Sequence, residues 1–337
     1  MNRSGKMKKI LQIAAVVGTG LILAGCAGSP TFLDPGSSIS TDEANLFWIL
    51  IYLSIVVFLI VEVWLVYNII RFRKRKQTDE IPKQIYGNMR LEIFWTFIPL
   101  LLVAVLFGLT IRTANAVSAP APSAQDLNVN VVGHQWWWEF DYPDLGVVTA
   151  NELHVPVNKV VQIQLRSMDV IHSFWVPQLS GKTDVIPGQV NHIWFQANNI
   201  GDYHGQCAEF CGLNHANMRI KVVVESQADF DAWVKNQQLP PPQPQGQAAQ
   251  DGYKMITGGI CSNCHMLGDQ GPENPVGPNL NHLFSRSVFA GATYDLTEDN
   301  IRRWLTDNQQ MKPGNDMSVN LKPNDVDALM AYLTTLK

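Results

Sequence analysis

Two long apolar runs decide most of what this chain can fold into. Leu46 to Ile70 is about 25 residues broken only by Glu62 and Asn68, and Ile93 to Ile111 is about 19. A bilayer core offers no water to the backbone, so a run of this length crosses it as a helix with its hydrogen bonds closed internally. Between the runs, Arg71-Phe72-Arg73-Lys74-Arg75-Lys76 sets a cationic cluster against the end of the first. Cationic loops stay on the cytoplasmic face, so the runs form a hairpin, helices about 46–70 and 91–111, whose outer ends emerge on the exported side. Glu62 lies deep in its span and must face protein or water. Glu92 opens the second span; it is either an interfacial carboxylate or a proton-conducting one packed against a partner.

The first residues carry an export signal. Arg3, Lys6, Lys8 and Lys9 precede an apolar stretch, Ile10 to Ala24, too short to span comfortably. It ends in Leu23-Ala24-Gly25-Cys26, which resembles a bacterial lipobox. That resemblance makes 1–25 a signal peptide and Cys26 a lipidated terminus, with 26–113 holding the lipid anchor and the hairpin; an uncleaved anchor helix is the competing reading.

After a small-residue and proline stretch, Ala114 to Ala124, the period becomes two. Leu127, Val129 and Val131 alternate with Asn128 and Asn130. Short β-rich runs recur at 160–165, 190–195 and 220–224, separated by Pro143-Asp144, Pro187-Gly188 and Asn198-Asn199. Residues 125–226 therefore read as an all-β sandwich or barrel. Just before its last strand stands Cys207-Ala208-Glu209-Phe210-Cys211-Gly212-Leu213-Asn214-His215-Ala216-Asn217-Met218. Thiolate and thioether are soft donors and imidazole also suits copper, so the set selects copper over magnesium or calcium. His172, in a loop after a strand, is the candidate for a further ligand from upstream. A Cys207–Cys211 disulfide is the alternative an exported compartment permits.

Residues 227–250 read as a short helix, Gln227 to Gln237, and a Pro/Gln spacer, Leu239 to Gln250. Residues 251–337 hold Cys261-Ser262-Asn263-Cys264-His265, the attachment pattern of haem c, with a zinc or redox Cys-x-x-Cys as the alternative. Met311 and Met317 are the candidates for a second axial ligand. The five cysteines are all used in this reading, and a net charge of −4 gives no footing for nucleic acid. Only 16% of residues are charged, against about 25% in typical soluble proteins, a deficit that lies in the apolar runs.

Residues 40–225 resemble subunit II of cytochrome c oxidase. The resemblance rests on the hairpin, Gly133-His134-Gln135-Trp136-Trp137-Trp138, Asp169 to Pro177, Lys182 to Gly188 and the ligand loop. It implies a cupredoxin-like domain whose Cys207 and Cys211 bridge a dinuclear copper centre, CuA, completed by His172, His215, Met218 and the Glu209 carbonyl. It also implies that the Glu209 carboxylate faces a magnesium site shared with subunit I. Trp136 would be the indole at the electron-accepting face, against a plain packing role, and Glu92 the carboxylate at the mouth of a proton channel. Lys312-Pro313-Gly314-Asn315-Asp316-Met317 and Gly277-Pro278-Asn279-Leu280 resemble class I cytochromes c, an all-α fold. That resemblance makes Met317 the ligand and gives the Pro278 carbonyl to the ring of His265; Ser318 departs from a common proline.

Together the resemblances imply subunit II of a caa-type haem–copper oxidase in a bacterial inner membrane, multi-pass, with soluble domains on the outer face. Electrons would come from a small cytochrome c or a bc-type complex, pass haem c and CuA, and reach subunit I, where oxygen is reduced with proton pumping. The chain itself would transfer electrons without reducing oxygen: its eight histidines form no helical cluster for such a site. Two other classes stay open, a subunit of a CuA-containing nitric oxide reductase and a free-standing membrane-anchored electron carrier.

Overall fold

The computed structural model describes residues 30–73, 83–84, 86–118, 120–121, 123–273 and 275–337. Cys26, the signal segment 1–25 and the cations Lys74, Arg75 and Lys76 lie outside them.

Two long helices come first: α1, Ser38–Arg71, and α2, Met89–Val117. Both outrun the apolar periods read from sequence, because polar residues cap them further out. At α1 a capping box joins Ser37 and Ser40, and the same hydroxyls donate to Leu179 O and Gln178 O at 2.6 Å each. The foot of the helix is thereby tied to the β domain. Asn88 caps α2 by accepting from the amides of Arg90 and Leu91. Where the sequence suggested a linker from Ala114, α2 continues to Val117, whose carbonyl accepts from Trp194 Nε1 at 3.0 Å. Both helices present bulky apolar side chains outward, Phe58, Trp64, Leu100 and Phe107 among them, and both are long and apolar enough to cross a membrane.

Ten strands then form two five-stranded sheets packed face to face. They are β1 Leu127–His134, β2 Trp137–Tyr142, β3 Val147–Ala150, β4 Glu152–Pro156, β5 Val160–Ser167, β6 His172–Trp175, β7 Thr183–Val185, β8 Asn191–Gln196, β9 Gly201–Cys207 and β10 Arg219–Glu225. One sheet runs β3-β2-β1-β5-β8 and the other β4-β10-β9-β6-β7. The predicted alternation holds: Val129 and Val131 of β1 are buried, as are Ile220, Val222 and Val224 of β10. Trp138, Phe140, Tyr142, Phe174 and Phe195 fill the space between the sheets, each burial stabilising by about 1.5–3 kcal/mol. The sandwich is cupredoxin-like, as the sequence suggested. Helix α3, Gln227–Gln237, closes one edge with Phe230 and Trp233.

The C-terminal part has its own core. Helices α4, Gly246–Gly258, α5, Glu298–Met311, and α6, Pro323–Leu333, pack around Ile256, Leu305, Leu329 and Tyr332. A two-stranded ribbon, β11 Val288–Phe289 and β12 Tyr294–Asp295, is added to the expected helices. The proline run between α3 and α4 is held at two points. His282 Nε2 donates to Leu239 O and Tyr332 Oη to Pro242 O, each at 3.0 Å.

Candidate copper and haem sites

Strand pairing explains how a histidine 35 residues upstream reaches the cysteine loop. In β6 and β9, Phe174 lies opposite Cys207. Side chains alternate along a strand, so His172 shares the inward face of Phe174 and points at Cys207. His172 opens strand β6 rather than sitting in the preceding loop, and its ring is fully buried. Gly133 makes room for it: a Cβ there would stand 2.8 Å from His172 Cδ2. Met218 continues the inward phase of β10, and its carbonyl accepts from the Cys207 amide at 2.8 Å.

The donor atoms form one chain of close neighbours. Cys207 Sγ is 3.8 Å from Cys211 Sγ, 3.9 Å from His172 Nδ1 and 3.3 Å from Glu209 O. Cys211 Sγ is 3.7 Å from His215 Nδ1 and 3.8 Å from Met218 Sδ. Both cysteines are free thiols, so the disulfide alternative does not describe this structure. All six candidates thus meet at one end of the sandwich, with Cys207, Cys211, His172 and Met218 buried. Glu209 turns its carbonyl inward while its side chain is exposed.

The surroundings favour one anionic sulfur. The neighbouring Cys211 thiol pulls Cys207 down, with His172 adding to this and burial opposing it, and Cys211, beside that negative charge, is pushed up instead. Burial would lower His172, but its hydrogen bond to Asp169 and the nearby Cys207 outweigh this and raise it. Asp169 Oδ1 accepts from His172 Nε2 at 2.7 Å, which leaves Nδ1 toward the sulfurs. This is the outer carboxylate–imidazole contact that orients metal-binding histidines. Asp169 is fixed in turn by the amides of Gln135 and Val170, each at 2.6 Å. Two soft thiolates, two imidazoles, a thioether and a carbonyl fit a copper centre by the chemistry of the donor set.

The second site is a cavity of about 360 Å3, within the size range of cofactor pockets. Cys261, Cys264, His265 and Met317 all line it. His265 Nδ1 donates to Pro278 O at 2.7 Å, which leaves Nε2 as the ring's lone-pair nitrogen. Burial lowers the His265 ring, and the Pro278 carbonyl opposes that. Met317 lies in the wall with its sulfur accepting from Trp304 Nε1 at 3.1 Å; Met311 is packed in the helical core instead. The wall also holds Arg286, a buried guanidinium whose Nε has no partner among the described residues. Burial pushes it down to about 10. A buried cation with a spare N–H fits the carboxylates of a haem.

Trp136 stands between the two sites. Its indole N–H donates to Cys211 O at 3.0 Å, and the residue also lines the second cavity. Gln135 Nε2 donates to the same Cys211 carbonyl at 2.7 Å. Trp137 donates to Val276 O at 3.1 Å, across the seam between the two domains. Asp169, Arg286 and Gln135 carry these arrangements, and the sequence pattern singled out none of them for a role. Asp169 could have been found from its place three residues before His172; the other two have no local signal. Glu92 lies in the first turn of α2, far from both sites in sequence and only partly covered.

The comparisons with known proteins agree with this division. Residues 28–111 match the family model described as cytochrome C oxidase subunit II, transmembrane domain, and residues 145–226 the periplasmic domain of the same subunit. Residues 249–337 match the cytochrome c model. A cytochrome c oxidase subunit 2 of Alkalihalophilus pseudofirmus is 36% identical over 94% of both chains. The subunit 2 of Bacillus subtilis is 34% identical over 94% of this chain and 95% of its own. That of Bacillus sp. strain PS3 is 37% identical over 79% and 80%.

Proposed function

The chain belongs to the cytochrome c oxidase subunit II family, with a cytochrome c domain at its C-terminal end, and on that premise we propose that it is the electron-accepting subunit of a caa-type oxidase. It takes electrons from a donor through its C-terminal domain and delivers them from the β domain to subunit I, where oxygen is reduced and protons are pumped. The observation that carries the reading is the position of Trp136, whose indole N–H is on the Cys211 carbonyl while the residue also lines the cavity of Cys261, Cys264, His265 and Met317.

Cys207, Cys211, His172, His215, Met218 and the Glu209 carbonyl would hold two coppers. Cys261 and Cys264 would bind haem c covalently, with His265 and Met317 on its iron. When bound, the copper pair would accept and release single electrons, and a thioether on the haem iron would raise its potential. Asp169 holds the His172 tautomer and the Pro278 carbonyl holds that of His265. The buried position of both sites limits solvent rearrangement around them. Glu209 extends its carboxylate outward, where a magnesium site shared with subunit I would meet it. Glu92, at the start of α2, supplies the carboxylate at a proton-channel mouth. Helices α1 and α2 make the subunit a two-span protein of the bacterial inner membrane, aided by a lipid on Cys26, with the soluble domains outside. Isolation in mild detergent tests the proposal. The chain should co-purify with an oxygen-consuming, haem-a-containing subunit; isolation as a lone carrier, or with a nitric-oxide-reducing partner, overturns it.

A further inference from the structure

The seam between the β domain and the C-terminal domain contains two buried charges of opposite sign, one from each side. Lys312 follows α5 and is 3% exposed. Its ammonium donates to Trp136 O at 2.7 Å, Asn217 O at 2.9 Å and Ala290 O at 3.0 Å. Burial pushes this amine down to about 7, yet three carbonyl acceptors call for all three protons of the ammonium, so the charged form is the one satisfied here. Two of the carbonyls belong to the β domain and adjoin the copper-ligand loop: Trp136 reaches Cys211 through its indole, and Asn217 precedes Met218. Glu152, in β4 and 2% exposed, faces the other way. Its two oxygens accept from the Ser287 amide at 3.0 and 2.9 Å, and one also accepts from the Ser287 hydroxyl. Lys221 supports that contact, donating to Ser287 Oγ at 2.7 Å. Ser287 adjoins Arg286 in the cavity wall.

We propose that Lys312 and Glu152 are positioning residues that clamp the haem-binding domain onto the copper-binding domain in one fixed arrangement, so that electrons cross without a domain excursion. The inference rests on the reading of the two sites given above. A buried charge stripped of its partners is far costlier than the pair is favourable, so such groups select one register more than they add affinity. Sliding the domains would leave the ammonium short of acceptors, and would leave the carboxylate with only the ammonium of Lys221 in its own domain, 3.8 Å away. Neutral bonds follow the same register: Asn214 Nδ2 donates to Pro313 O and Arg219 N to Gly291 O, each at 2.8 Å, and Thr293 Oγ1 to Asn217 O at 2.9 Å. The pinned proline run agrees with a fixed dock, since a domain that swings needs a free tether.

The test uses Lys312→Leu, Glu152→Gln and the double variant in the whole purified complex. Amide hydrogen exchange along 213–219 and 288–293 should accelerate about tenfold or more in the double variant, as expected when charge-assisted hydrogen bonds are lost. Electron transfer from haem c to copper after flash reduction should slow by a similar factor, with both absorbance spectra unchanged and by more than the measured change in midpoint potentials accounts for. Unchanged seam exchange and unchanged transfer overturn the clamp. The near-isosteric Glu152→Gln keeps the test open if the double variant does not load its cofactors. Failure of the underlying reading looks different: the unmodified chain would then lack copper or haem c.

Discussion

Single residues divide the labour at both sites. Met317 and Met311 compete on sequence alone, being six positions apart in the same segment. The fold separates them, with Met317 in the cavity wall and Met311 in the helical core. Met317→Ala should abolish the low-spin, thioether-ligated haem spectrum, while Met311→Ala should retain it and lower thermal stability by about 2–5 kcal/mol, the usual range for emptying a buried methionine. Absorbance near the thioether-to-iron band reads both. A second residue-scale prediction concerns pH. Burial, with Asp141 nearby, raises Glu139 to about 7, and burial lowers the facing His134 to about 4. The Glu139 contribution is present below its ordinary 4.5 and is lost as pH rises toward 7. The His134 contribution is present above its ordinary 6.5 and is lost as pH falls toward 4. Glu139→Gln should therefore stabilise the β domain at pH 8, on the order of 2 kcal/mol, with the gain vanishing near pH 4.5. The temperature at which copper absorbance is lost, followed across pH, checks the sign. The ligand loop was legible because Cys207 to Met218 lie together in the chain and only soft-metal chemistry needs that set. Asp169 was less so, since a lone aspartate beside a histidine has many ordinary uses until the strand pairing shows where the ring points.

At the scale of elements, period carried most of the fold. Alternation located β1, β5, β8 and β10, and apolar length located α1 and α2, because each burial environment leaves its own repeat in the sequence. Ends were harder. Helix α1 begins at Ser38 because Ser37 and Ser40 cap it against Gln178 and Leu179, a contact across about 140 residues that no local pattern encodes. The small strands β6 and β7 and the ribbon of β11 and β12 are too short to show a period. Helix crossing at α4 and α6 yields a sharper test. A Cβ on Gly252 would stand 2.1 Å from Ala328 O, so the two helices can approach only with glycine there. Alanine favours helix by about 1 kcal/mol over glycine, yet forcing apart a packed crossing costs about 1–3 kcal/mol or more, and here the clash is with backbone. Gly252→Ala should lower the yield of haem-loaded chain and the melting temperature of the haem spectrum, and leave copper absorbance unchanged. An unaltered or higher haem-domain melting temperature would show that the helices separate freely.

The molecule as a whole is two cores and a membrane hairpin joined by polar seams. Among the described residues, the core of the sandwich and that of the C-terminal helices share no buried apolar residue. The seam between them is read neither from period nor from motif, since Lys312 reaches Trp136 across 176 residues and nothing near either one announces the other. Separate cores predict separate folding. A chain ending after Gln238 keeps α3, whose Phe230 belongs to the sandwich core, and keeps all six candidate copper ligands. It should load copper with an unchanged spectrum. What it loses is the docked partner: the Trp136 and Asn217 carbonyls, held by Lys312 in the whole chain, turn to water. Delivery to copper then depends on encounter with an added soluble cytochrome c. In the intact chain the proposed transfer should be first order, with an effective concentration of order millimolar or above, and flat in ionic strength because the charges at the seam are buried. In the shortened chain it should become second order in the added cytochrome and change severalfold between about 10 and 150 mM salt, the range over which exposed charges become screened. Stopped-flow reduction of the copper band at several salt concentrations separates the two regimes. Loss of copper on truncation would instead make the haem domain a structural support of the copper site, and a salt-dependent rate in the intact chain would mean that its two domains part and meet again during each transfer.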